Sequence, residues 1–129
     1  MYSHMMVGSN DMDRSKKFYD AIFTAIGGKE GRFDPKGRLS YIKDGAVFMV
    51  TPPIDGQPAT HGNGSTIGFA VTGPEQARVW HDAGVAAGGT AIEDPPGVRE
   101  GAGMALYLAY LRDPDGNKLC ALHRIPTEA

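Results

Sequence analysis

A short pattern written twice limits what this chain can fold into more than any other feature. Phe18-Tyr19-Asp20-Ala21 returns as Trp80-His81-Asp82-Ala83 at an offset of 62, and Gly27-Gly28 returns as Gly88-Gly89 at an offset of 61. Each copy has the same setting: a strand-like run, a helix start, an amphipathic helix, the double glycine, and later a hairpin whose turn contains Asp-Gly. Short matches arise by chance, but recurrence of the whole series in one order favours a duplicated βαβββ unit. A unit of about 60 residues buries only about 60% of the surface its unfolded chain exposes. The two copies should therefore share a core within a single domain over residues 1–129, with one module at 1–55 and the other at 64–125.

In the first copy a strand is expected from Ser3 to Val7, then a helix from Asp11 to Ile26. Ser9-Asn10-Asp11 offers its N-cap, and Asp11 and Asp13 suit the positive end of its dipole. Phe18, Ala21, Ile22, Ala25 and Ile26 give the apolar stripe, and Gly27-Gly28 provides a left-handed stop. Strands over Arg38 to Lys43 and Ala46 to Thr51 flank the turn Asp44-Gly45, and residues 52–64 read as loop. The second copy begins with a strand from Thr66 to Val71. Thr72 and Glu75 fit a capping box with Pro74 early in the helix, and Ala77, Trp80, Gly84 and Ala87 form the buried side. A Pro/Gly loop over residues 95–103 leads to a hairpin from Tyr107 to Arg124, which turns at Asp113-Pro114-Asp115-Gly116-Asn117.

Side chains alternate along strands, so the apolar sets Met5 and Val7, then Ile67, Phe69 and Val71, should face the helices. His4, Met6, Thr66, Gly68 and Ala70 would then lie on the opposite, concave face, with Val47, Met49 and Thr51, and with Cys120 and Leu122 of the hairpin. That surface is mostly apolar with few polar atoms. It suits a small ligand, and equally suits packing against itself or a second subunit. Tyr107 and Tyr110 can donate hydroxyl bonds into such a cup, but Leu106 to Leu111 is apolar throughout and leaves their faces open. Arg99 and Glu100 could orient an anionic or amide group at its mouth, or simply be solvated loop charges. His61 lies in a loop that could close over a ligand or stay solvated, His81 belongs to the second helix near the surface, and His123 shares the helix-facing side of its strand.

A net charge of −2 with no basic run argues against nucleic acid as partner. One cysteine makes no internal disulfide, and no apolar run approaches the roughly 20 residues that span a bilayer. The expectation is a cytoplasmic, soluble protein without membrane contact. The glycines of 61–64 and 101–103 lack the lysine, hydroxyl residue and helix of a phosphate loop.

Three stretches, SHMMVGSNDMDRSKKFYDAI, STIGFAV and YLAYLRDPDGNKLCAL, carry a resemblance to the vicinal oxygen chelate superfamily over nearly the whole chain. That superfamily includes glyoxalases, bleomycin-resistance proteins, fosfomycin-resistance enzymes and extradiol dioxygenases. The resemblance implies an α+β fold in which two tandem βαβββ modules form a cupped mixed sheet with helices on its outer face. It also implies a divalent-ion site in the cup of metal-using members. His4 matches the first-strand histidine ligand, whereas Met49, Thr66 and Cys120 stand where glutamate, histidine and glutamate would ligate. A catalytic zinc usually takes three protein ligands, and oxygen-seeking ions want carboxylates, so no metal or other cofactor is expected. Cys120 could join His4 as a thiolate ligand, or be a small core residue.

The first reading is a glyoxalase/bleomycin-resistance-like small-molecule-binding protein with a degenerate metal site, whose ligand contacts His4, Met6, Met49, Thr66, Tyr110 and Cys120. The resemblance further implies a homodimer. The alternatives are a metal-dependent glyoxalase-like lyase, isomerase or dioxygenase using His4 with non-standard ligands, and a structural or regulatory dimer with no ligand.

Overall fold

Local chemistry sets each element of the repeat in the computed structural model, which describes residues 1–126. The first strand, β1 (His4–Gly8), leads into α1 (Met12–Ala25). Asp11 caps that helix by accepting from the Arg14 N–H at 3.0 Å, and Gly27, at φ 84°, turns the chain away from it. After β2 (Arg32–Phe33), β3 (Leu39–Lys43) and β4 (Ala46–Thr51) form a hairpin. Asp44 and Gly45 both have positive φ, 51° and 80°, which matches the right-handed twist of the flanking strands.

The second copy runs β5 (Ile67–Ala70), α2 (Pro74–Ala86), β6 (Thr90–Ala91), β7 (Gly97–Gly101), β8 (Met104–Arg112) and β9 (Lys118–Arg124). The expected capping box does not form: Gly73 is the N-cap, and the Gln76 side chain accepts from the Thr72 N–H at 2.9 Å. The expected loop over 95–103 contains β7, which pairs with β8 over Gly97 to Gly101. Its glycines read as loop in sequence, whereas the hairpin turns at Ala102 and Gly103, with φ 50° and 76°.

The α+β architecture of two repeated modules is present, and its strands divide into two mixed sheets. One has the order β1-β4-β3-β2, and the other β5-β9-β8-β6 with β7 also on β8. The repeat extends to register. In each module the opening strand runs parallel to the last one, with Met6 opposite Met49 in the first and Gly68 opposite Cys120 in the second.

Both helices pack on each other, and both sheets turn their helix-facing sides into one core. Gly84 permits the close crossing: a Cβ there would collide with Leu111 and stand 3.1 Å from Ile22. On α1 the buried stripe is Ser15, Phe18, Tyr19, Ile22, Phe23 and Ile26. Ala21 and Ala25, expected inside, are only half-buried. The stripe is rotated because bulky Tyr19 and Phe23 fill the space between the modules. Phe69 of β5 meets Phe23 and Phe48 edge-on, each at a centroid separation of 5.5 Å, and such pairs add about 0.5–1.5 kcal/mol beyond area burial.

A polar clasp ties the hairpin turn of the second module to the start of α1. The Asp113 carboxylate is buried and accepts from the Tyr19 hydroxyl at 2.5 Å, the Asn117 amide at 2.8 Å, and the N–H groups of Asp115 and Asn117. Beside it, Asp115 accepts from the Asn10 N–H and the Arg14 guanidinium, both at 2.9 Å. The Asp-Pro-Asp-Gly-Asn stretch is therefore a turn and a module link together. No described helix is long and apolar enough to cross a membrane.

Candidate functional site

Cross-strand neighbours in a ladder share a face, so the register assigns the strand residues facing away from the helices. In the first sheet these are His4 with Val47, and Met6 with Met49. In the second they are Gly68, Cys120 and Tyr110 on one level, and Ala70, Leu122 and Leu108 on the next. Tyr110 therefore stands beside Cys120. Tyr107 takes the helix side, where its hydroxyl accepts from Arg78 at 3.1 Å. The uniformly apolar run that hid this distinction in sequence is resolved only by pairing with β9.

β1 and β5 are edge strands of the two sheets and share no ladder, but Met5 of β1 and Ile67 of β5 border the same space, a seam between the modules. Two clefts open along this seam. One, of about 300 Å³, is apolar and bordered by Phe23, Phe48, Phe69 and Ala70, with Lys43 and Asp44 beside it. The other, of about 380 Å³, is more polar and bordered by Met6, Thr60, Ser65, Thr66, Asn117 and Lys118. Met5 and Ile67, counterparts in the repeat, border both and so mark the middle of the seam. His4 and Thr66, also counterparts, each stand one residue from that midpoint.

The predicted site residues are related pairwise, and neither cleft is bordered by all of them. Met6 and Thr66 share the polar cleft, Met49 adjoins Met6, and Tyr110 adjoins Cys120. Thr66 precedes β5 rather than lying within it. His4 opens β1, is exposed, and shares a hydrogen bond of 2.8 Å between its Nδ1 and Ser3 Oγ. His61 packs on the hairpin turn, where a Cβ on Gly116 would stand 2.7 Å from its Nδ1.

Lys118 went unnoticed in sequence, where it reads as an ordinary strand-start charge. It borders the polar cleft, its ammonium lies 5.0 Å from the Tyr110 ring centroid, and it is ion-paired with Glu93. Burial, assisted by Glu93, raises the Cys120 thiol above its ordinary value against the opposing pull of Lys118. Iodoacetamide alkylation of Cys120 should consequently keep accelerating above pH 9.0, the ordinary thiol value, since the thiolate is the nucleophile. A rate that levels off below that pH would contradict the assigned environment.

As metal ligands these side chains fit poorly. The set is one imidazole, a thioether, a hydroxyl and a thiol that resists ionisation, with no carboxylate among them. Among the described residues no three His, Cys, Asp or Glu side chains form a group able to hold a metal ion.

The model of the glyoxalase/bleomycin resistance protein/dioxygenase superfamily matches residues 2–121. The chain belongs to that superfamily. Its fold is close to that of a glyoxalase/bleomycin resistance protein from Albidiferax ferrireducens T118, with 58% identity and a TM-score of 0.92 over 96% of this chain and 99% of that one. A glyoxalase/bleomycin resistance protein/dioxygenase family enzyme from Burkholderia phytofirmans PsJN shares the fold at 19% identity and TM-score 0.73, over 95% of this chain and 98% of that one. The fosfomycin resistance protein FosX of Listeria monocytogenes does so at 15% identity and TM-score 0.68, over 100% of this chain and 94% of that one. No curated protein matches the chain significantly.

Proposed function

We propose that this superfamily member is a small-molecule-binding protein of the glyoxalase/bleomycin-resistance type, cytoplasmic and homodimeric, without a conventional divalent-metal centre. The observation that carries the reading is the face turned away from the helices. Methionine, valine, leucine and alanine dominate it, His4, Tyr110 and Cys120 punctuate it, and Thr66 borders the adjoining polar cleft. Wide apolar walls supply affinity, and a few polar atoms orient the ligand. The same face exposes Met6 and Ile42 by 40% and 69%, which supports partial coverage by a second copy.

The enzymatic alternative rests on His4, whose ring is hydrogen-bonded at Nδ1 and keeps Nε2 for another partner. It would need two further ligands from outside the described donor set.

Thermal-shift titration with neutral apolar probes, phenylacetamide and indole-3-acetamide, tests the binding reading. Saturable stabilisation is expected, reaching about 2.7 kcal/mol at a hundredfold excess over Kd. Met49→Gln and Cys120→Ser should weaken it, each shift being read against the variant's own unliganded Tm. Stabilisation that survives both changes would place the ligand elsewhere, and its absence for every probe would sink the reading.

A further inference from the structure

The polar groups around Tyr110 are unequally balanced. Lys118 lies over the Tyr110 ring and is paired with Glu93. Arg99 starts two residues further along the sheet than Gly97, which pairs with Leu108, but its side chain reaches back toward the segment that precedes β7. There one guanidinium nitrogen donates to the main-chain carbonyls of Asp94 and Pro95 at 2.9 and 3.0 Å. That segment runs beside Tyr110, since the Ile92 N–H donates to the Tyr110 carbonyl at 3.4 Å. Lys118, Arg99 and the Glu93 carboxylate all act on the half-buried Tyr110 phenol. Glu93 is taken up by Lys118, and Arg99 is held by carbonyls, which orient a guanidinium without neutralising it. Among the described residues the Tyr110 hydroxyl has no hydrogen-bond partner, and burial together with Cys120 and Glu93 keeps it protonated and able to donate.

From this geometry we infer that the site selects ligands bearing one carboxylate or comparable oxyanion, held by Arg99, Lys118 and Tyr110 while the apolar body lies toward Met6, Met49 and Leu122. The inference rests on the binding reading above and adds the chemical class of the ligand. A charged hydrogen bond is worth about twice a neutral one, so the acid should be preferred to the amide of the same shape.

Equilibrium binding of matched pairs tests it: phenylacetate against phenylacetamide, and indole-3-acetate against indole-3-acetamide. Each acid should bind about tenfold or more tightly than its amide, equivalent to about 1.4 kcal/mol, and the gap should narrow as salt rises. Arg99→Gln should erase most of the preference by weakening the acid far more than the amide, and Arg99→Lys should restore part of it. Lys118→Gln gives the second arm in case Arg99→Gln loosens the 94–96 segment. Equal binding of acid and amide, unaffected by either charge change, would overturn the inference and leave the apolar site standing. No binding by any of the four compounds would remove both.

Discussion

Asp113→Ala should destabilise the protein by about 3–5 kcal/mol, a fall of about 10–20 °C in Tm for a chain of this size. Four donors converge on that buried carboxylate: the Tyr19 hydroxyl, the Asn117 amide and two main-chain N–H groups. Alanine leaves all four without their acceptor, and each buried donor left unmade costs about 1–3 kcal/mol before relaxation. Tyr19→Phe removes a single donor and leaves the carboxylate three others, so about 1 kcal/mol is expected. The two changes together should cost less than their sum, because they delete one shared bond. Urea unfolding followed by Trp80 fluorescence reads all three variants. A loss below about 1 kcal/mol for Asp113→Ala would mean that the clasp contributes no module linkage.

Trp80→Ala is the second large effect, also about 3–5 kcal/mol, because removing a fully buried indole in the middle of α2 would leave a cavity beside Phe69. Trp80→Phe should differ sharply. The indole Nε1 is buried and has no hydrogen-bond partner among the described residues, so phenylalanine removes an unsatisfied donor along with some apolar area. These opposing changes are each of order 1–3 kcal/mol, which places Trp80→Phe within about 1 kcal/mol of the parent in chemical denaturation followed by circular dichroism. Equal losses for the two substitutions would show that the indole N–H makes a needed bond.

Elements with local signals were legible in the sequence. The helix at Asp11, the Asp44-Gly45 turn and the outward setting of Val47 and Met49, which leaves Phe48 and Val50 buried, all follow from chemistry within a few residues. What depended on distant partners was not. Burial of Tyr19 comes with a carboxylate 94 positions away, and the equivalent His81, with no such partner among the described residues, is only half-buried. β7 was hidden because its glycines score as loop, although its backbone finds a ladder on β8. For the site, alternation placed Cys120, Met49 and Met6 on the outward face, as the register has them. The face of Tyr110 and the position of Lys118 above it required the pairing of β8 with β9.

Elemental analysis of the purified protein, repeated on His4→Ala, tests most directly the claim that this site binds small molecules without a conventional metal centre. The account predicts substoichiometric zinc, nickel, iron and manganese that do not change with the substitution. One equivalent of any of these metals that disappears in His4→Ala would contradict it and return the enzymatic reading to first place.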